Sequence, residues 1–151
     1  MVTGVKESQL KDSQALAVEL RPVLLRLNRE LKREIHSLGV TGGQVSLLVS
    51  IKAAPGITAK RLAELDRVSA AAMSVALGRL EKAGLIERTR GEDRRCVSVT
   101  VSAAGEKVLR SVKQRRTAWL ASRLKQLDDD EREAIDAALP ALTSLLEANP
   151  A

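Results

Sequence analysis

Four arginines, Arg88, Arg90, Arg94 and Arg95, surround Gly91 in a polar stretch that also carries Asp93. Guanidinium groups gathered at one turn can pair with phosphates or enter a narrow minor groove. A carboxylate two residues before Arg95 can accept a hydrogen bond from its guanidinium and fix its direction. A solvated charged turn is the ordinary alternative. Upstream, residues 69–83 open with Ser69, Ala70, Ala71 and Ala72, and add Ser74, Val75 and Arg79. Such small side chains at the start of a helix let the backbone come close to base edges. They offer methyl groups to thymine and one hydroxyl, but no bidentate base reader. Arg79, further along, is placed to meet a phosphate, and Thr58 and Lys60 are candidates for the nucleic-acid backbone. A small amphipathic core helix is the alternative reading of 69–83.

Other chemistry is poorly served. No nucleophile stands with a paired base, and Gly42-Gly43 reads as a helix start rather than a phosphate loop. One cysteine, Cys96, excludes an internal disulfide framework. A sensor role for Cys96 requires an accessible, activated thiol; an ordinary strand residue is the plain alternative. The single His36, far from Cys96, cannot build a metal site, so no metal and no cofactor is expected.

These groups need a frame, and the apolar spacing supplies one. Leu16, Leu20, Leu24, Leu27, Leu31, Ile35 and Leu38 recur at steps of three and four, a helical stripe that Pro22 should bend. Thr41 through Gln44 reads as a capping box, opening a helix to about Ala53 that Pro55-Gly56 ends. Thr58 can cap a short helix, 59–65, with Leu62 and Leu65 inward. Ser69 can cap the next, with Met73, Leu77 and Leu80 inward and Gly84 at its end. Two short helices joined by about four residues look like a helix-turn-helix. Leu85, Ile86 and Arg88 suggest a short strand. Val97, Val99 and Val101 alternate with Cys96, Ser98 and Thr100, which predicts a half-buried partner strand. From Ala103 a long helical pattern returns. Asp128 with Glu131 can cap a last helix carrying Ile135, Leu139, Leu142 and Leu146, bent at Pro140.

Composition agrees. The chain has 151 residues, one Trp and no Phe or Tyr, so its core must be aliphatic, which suits helix on helix. Its net charge of +6 permits an anionic partner. Residues 100–127 carry seven Lys or Arg against one Glu, whereas residues 128–151 carry one Arg against seven acidic residues. No apolar run is long enough for a membrane span, and no signal-type stretch opens the chain, so a cytoplasmic protein is expected.

Residues 41–105 resemble the DNA-binding half of the MarR family (multiple antibiotic resistance regulators). The pieces are Thr41 to Gln44 with Leu47 and Leu48; Pro55 to Thr58; Leu62-Ala63; Val68-Ser69; Leu77; and Leu80 through Arg88. Asp93-Arg94-Arg95, followed by Val101, Ser102 and Gly105, fits that family's wing signature. The resemblance implies a mainly α fold with a small β-hairpin: a winged helix-turn-helix over 39–102, with dimerisation helices in 1–38 and 103–151. It further implies an obligate homodimer on a palindromic operator of double-stranded DNA. Helix 69–83 would lie in the major groove, and Arg95, oriented by Asp93, would reach the minor groove. Such proteins usually repress nearby genes and release DNA when a small molecule or oxidant acts. Ala72 and Val75 depart from the hydroxyl and basic residues many members carry there, which shifts base reading toward the wing, Ser74 and DNA shape. A winged helix used only to bind protein is the alternative function.

Overall fold

The chain runs as helix α1 (Ser13–Arg33), a 3-10 turn at His36–Leu38, helix α2 (Gly42–Ala53) and strand β1 (Ile57–Thr58). Helices α3 (Ala59–Asp66) and α4 (Ala70–Lys82) follow, then strands β2 (Ile86–Arg90) and β3 (Val97–Val101), and finally helices α5 (Ala103–Leu124) and α6 (Asp129–Glu147). This is a computed structural model, and it describes residues 11–91 and 96–148. Asp93, Arg94 and Arg95 lie outside the described residues.

Local side-chain chemistry sets the helix starts. The Thr41 hydroxyl accepts from the Gln44 amide at 3.1 Å, and the Gln44 side chain accepts from the Thr41 amide at 3.0 Å. Asp128 and Glu131 repeat this reciprocal box at α6. Thr58, Ser69 and Ser102 cap α3, α4 and α5 in the simpler way, each accepting one amide three residues on. Each cap satisfies donors that the first helical turn leaves unpaired. Thr41→Ala is therefore expected to cost about 1 kcal/mol of stability. A urea unfolding midpoint unchanged by that substitution would count against the box.

The core is aliphatic, as the composition required. Ile35, Leu48 and Ile51, Leu62, Leu77 and Leu80, and Val99 are fully buried, from the turn after α1 and from α2, α3, α4 and β3 respectively. Leu65 departs from expectation: it is 54% exposed, and Ala63 is buried instead. Successive helical residues are about 100° apart. A face centred between Leu62 and Ala63 leaves Leu65 pointing well to one side. The sheet also exceeds a hairpin. β1 joins as a third antiparallel strand, order β1-β3-β2, with Ile57 opposite Val99 and Thr58 opposite Ser98.

α1 runs unbroken through Pro22, and α6 through Pro140. Neither helix contains a buried residue, although both carry leucine-rich faces. Leu20, Leu24 and Leu25 of α1 and Leu145 of α6 line one open apolar groove.

Candidate nucleic-acid interface

α4 is built with one anchored side and one bare side. Met73, Leu77 and Leu80 are buried against the core, while Ala70, Ala71, Ala72, Ser74, Val75 and Arg79 are exposed. These are the residues that the sequence offered to base edges and phosphate. Ser69 spends its hydroxyl on the cap, accepting from the Ala72 amide at 3.1 Å. α3 braces α4 through Leu62 and Ala63. Thr58 is half-buried, its hydroxyl accepting from the Arg61 amide at 3.2 Å, and Lys60 is exposed on the first turn of α3.

The turn between the two helices contains a residue that the sequence did not flag. Arg67 has φ +53, the left-handed conformation that glycine usually fills. That geometry lets the Val68 amide reach back to the Ala63 carbonyl at 3.0 Å and close α3 sharply. Arg67 is exposed three residues before the start of α4. Nothing in an arginine signals a left-handed turn.

The hairpin places Arg88 and Arg90 on one face of the sheet, and burial separates them. Residues directly opposite in an antiparallel pair share a face. Arg88 stands opposite buried Val99, and Arg90 opposite Val97. Arg88 is thus on the face turned toward α4, its side chain only 27% exposed. Its Nε lies 2.7 Å from Oε2 of Glu81, an ion-pair contact without hydrogen-bond alignment. Arg88 therefore ties the base of the hairpin to the last turn of α4 rather than standing at the tip. Arg90 is exposed at the far end of β2, next to Gly91, whose amide donates to the Cys96 carbonyl at 3.3 Å. Cys96 is an exposed free thiol immediately before β3.

The strongest basic segment does not belong to the hairpin. It is α5, and together with α2 it encloses a groove of about 450 Å³. Val45 and Val49 of α2 line it, with Lys52 and with Arg110, Lys113 and Arg116 of α5. Lys52 is 2.7 Å from Glu106, and Nε of Arg116 is shielded from solvent with no hydrogen-bond partner among the described residues. The sequence showed the charge of α5 but not which residues of α2 it would face. His36 is exposed in its 3-10 turn. Among the described residues no group of three or more His, Cys, Asp or Glu is gathered to hold a metal ion, and no helix is long and apolar enough to cross a membrane.

Known proteins share this fold. A family model described as MarR family matches residues 40–97. An HTH-type transcriptional regulator of Mycobacterium bovis is 30% identical over 141 residues, spanning 92% of this chain and 99% of the relative. Among solved structures, a transcriptional regulator protein of Pseudomonas aeruginosa superposes with a TM-score of 0.81 at 28% identity, over 93% of this chain and 99% of that one. A mutant of Staphylococcus aureus MepR, solved bound to an oligodeoxyribonucleotide, shares the fold with a TM-score of 0.68 at 21% identity, over 87% of this chain and 97% of that one.

Proposed function

This chain belongs to the MarR family of transcriptional regulators, and from that premise we propose that it is a homodimer that binds double-stranded DNA, represses adjacent genes and is released by a small anionic effector. The observation that carries the reading is the bare outer side of α4, with Ala71, Ala72, Ser74 and Val75 exposed beside Ala70 at its start, held by the buried Met73, Leu77 and Leu80. A helix so anchored enters a major groove without reordering its own core. Ala70, Ala71, Ala72 and Val75 present methyl groups and Ser74 a hydroxyl, while Ser69, Thr58, Lys60 and Arg79 lie toward the phosphates. Arg90, Arg94 and Arg95 form the wing contact, with Asp93 orienting Arg95 and Arg88 supporting the hairpin from behind.

A gel shift across a salt series on fragments of the source genome tests this. Phosphate-driven binding falls steeply as salt rises. Absence of binding to any duplex at low ionic strength, or affinity indifferent to salt, sinks the reading in favour of a protein-binding winged helix. Arg95→Ala is expected to weaken operator binding by about 1–3 kcal/mol while the dimer stays intact. Unchanged affinity removes Arg95 from the contact surface.

The arms, 1–38 and 103–151, are proposed to pair two winged domains (39–102) into one reader of a palindrome. The uncovered apolar faces of α1 and α6 support this. The groove between α2 and α5 is proposed to take the effector. Apolar side chains beside the cations Lys52, Arg110, Lys113 and Arg116 suit an anion with an apolar body. Titration with small aromatic carboxylates is expected to release DNA from the wild-type protein. The Arg110→Glu, Lys113→Glu double variant should bind DNA yet lose that response. A response that survives both charge reversals takes the groove out of the mechanism.

A further inference from the structure

The end of α4 and the start of α5 are far apart along the chain but are joined by a cluster of contacts at Ser102. Gly84 leaves α4 with φ +73. Its carbonyl accepts from the Ser102 hydroxyl at 2.5 Å, and the Leu85 carbonyl accepts from the Ser102 amide at 3.0 Å. The same hydroxyl accepts from the Gly105 amide at 3.1 Å. Gly105 leaves no room for a side chain between α5 and the Leu85 backbone. Ser102 is 8% exposed, the one polar side chain among the buried described residues. Its hydroxyl thus donates to one helix end and accepts from the other, inside the protein, where an unmade hydrogen bond is costly.

We propose that Ser102 is a positioning residue that fixes the angle between α4 and α5, and through it the separation of the two α4 helices in the dimer. This rests on the dimeric DNA-binding reading above. The lever is sensitive. α4 has 13 residues, about 20 Å at 1.5 Å per residue. A tilt of about 10° at its fixed end moves the other end by roughly 3 Å, close to one base-pair step. Half-sites are read at a set spacing, so a loosened junction relaxes discrimination between spacings without removing any DNA contact.

The test uses the full-length dimer carrying Cys96→Ser and Ala72→Cys, with a spin label on the single introduced thiol of each copy and the label-to-label distance read in the absence of DNA. Ser102→Ala is expected to broaden that distance distribution, and Ser102→Thr, which keeps donor and acceptor, to leave it narrow. Ser102→Asp keeps the cap acceptor but has no proton for the Gly84 carbonyl, and is expected to behave like Ser102→Ala; it carries the test if Ser102→Ala loses helical content. In unlabelled protein, Ser102→Ala should reduce by about fivefold, the worth of one hydrogen bond, the preference for the native half-site spacing over one lengthened by a base pair. Unchanged distances and unchanged spacing preference in Ser102→Ala or Ser102→Asp overturn the positioning role. A labelled parent with Ser102 intact that shows no defined distance, or a wild-type protein with no affinity for DNA, sinks the dimeric reading beneath it.

Discussion

A chain ending at Gln126 is expected to sediment as a monomer and to lose roughly two to four orders of magnitude in operator affinity. The reason lies in α1 and α6. Leu16, Leu24, Leu25, Ile135, Leu139 and Leu145 are all exposed in the single chain, and Leu146 is 88% exposed. Burying a leucine side chain is worth about 1.5–3 kcal/mol, so these faces favour a partner strongly. Without α6 the pairing surface is cut and α1 stands alone. Each winged unit then meets its half-site independently, and the gain from tethering two weak contacts disappears. The winged part itself should survive, since the buried core draws no residue from α1 or α6. Sedimentation equilibrium and a gel shift on the same preparation check both halves. A truncated chain that still sediments as a dimer would contradict the assignment of α6.

Gly105→Ala is expected to lower stability by about 3 kcal/mol, at the upper end of overpacking costs. An added Cβ would collide with the Leu85 carbonyl oxygen and stand 2.7 Å from Cγ1 of Val101 and 3.1 Å from the Leu85 carbonyl carbon. Those neighbours are mostly backbone, held by the Ser102 contacts, and cannot swing aside. For a domain of this size the loss corresponds to a fall in Tm of roughly ten degrees. Gly78→Ala makes the control. Gly78 sits inside α4 with open space around it, so alanine there is expected to gain up to about 1 kcal/mol from helix propensity. Thermal unfolding of the two variants side by side decides the matter. Equal melting temperatures would show that the crowding at Gly105 is relieved by movement of α5.

What the sequence made legible was local. Thr41 with Gln44, Thr58, Ser69 and Asp128 announce their helices because a cap needs only a side-chain oxygen and an amide three residues away. The buried Met73, Leu77 and Leu80 follow from helical spacing alone, and with them the exposed Ala71, Ala72, Ser74 and Val75 on the other side, while Ala70 is exposed because it opens the helix. What escaped was decided across the chain. β1 is two residues long and exists because β3 lies beside it, so no alternation can announce it. The pairing of Arg88 with Glu81 depends on the hairpin register. In the sequence Arg88 is indistinguishable from Arg90. The groove needs α2 and α5 side by side, and the sequence places the cations of α5 without saying what they face.

With the uncovered faces of α1 and α6, neither of which holds a buried residue, paired between two copies as proposed, this molecule's folding depends on its abundance. Partner binding stabilises by mass action, so the melting temperature should climb with protein concentration, and dilution should act on the arms as a denaturant does. A cell holding few copies would then carry a population of half-made readers, open to proteases along both arms, and the number of molecules would itself set how tightly the genes are held.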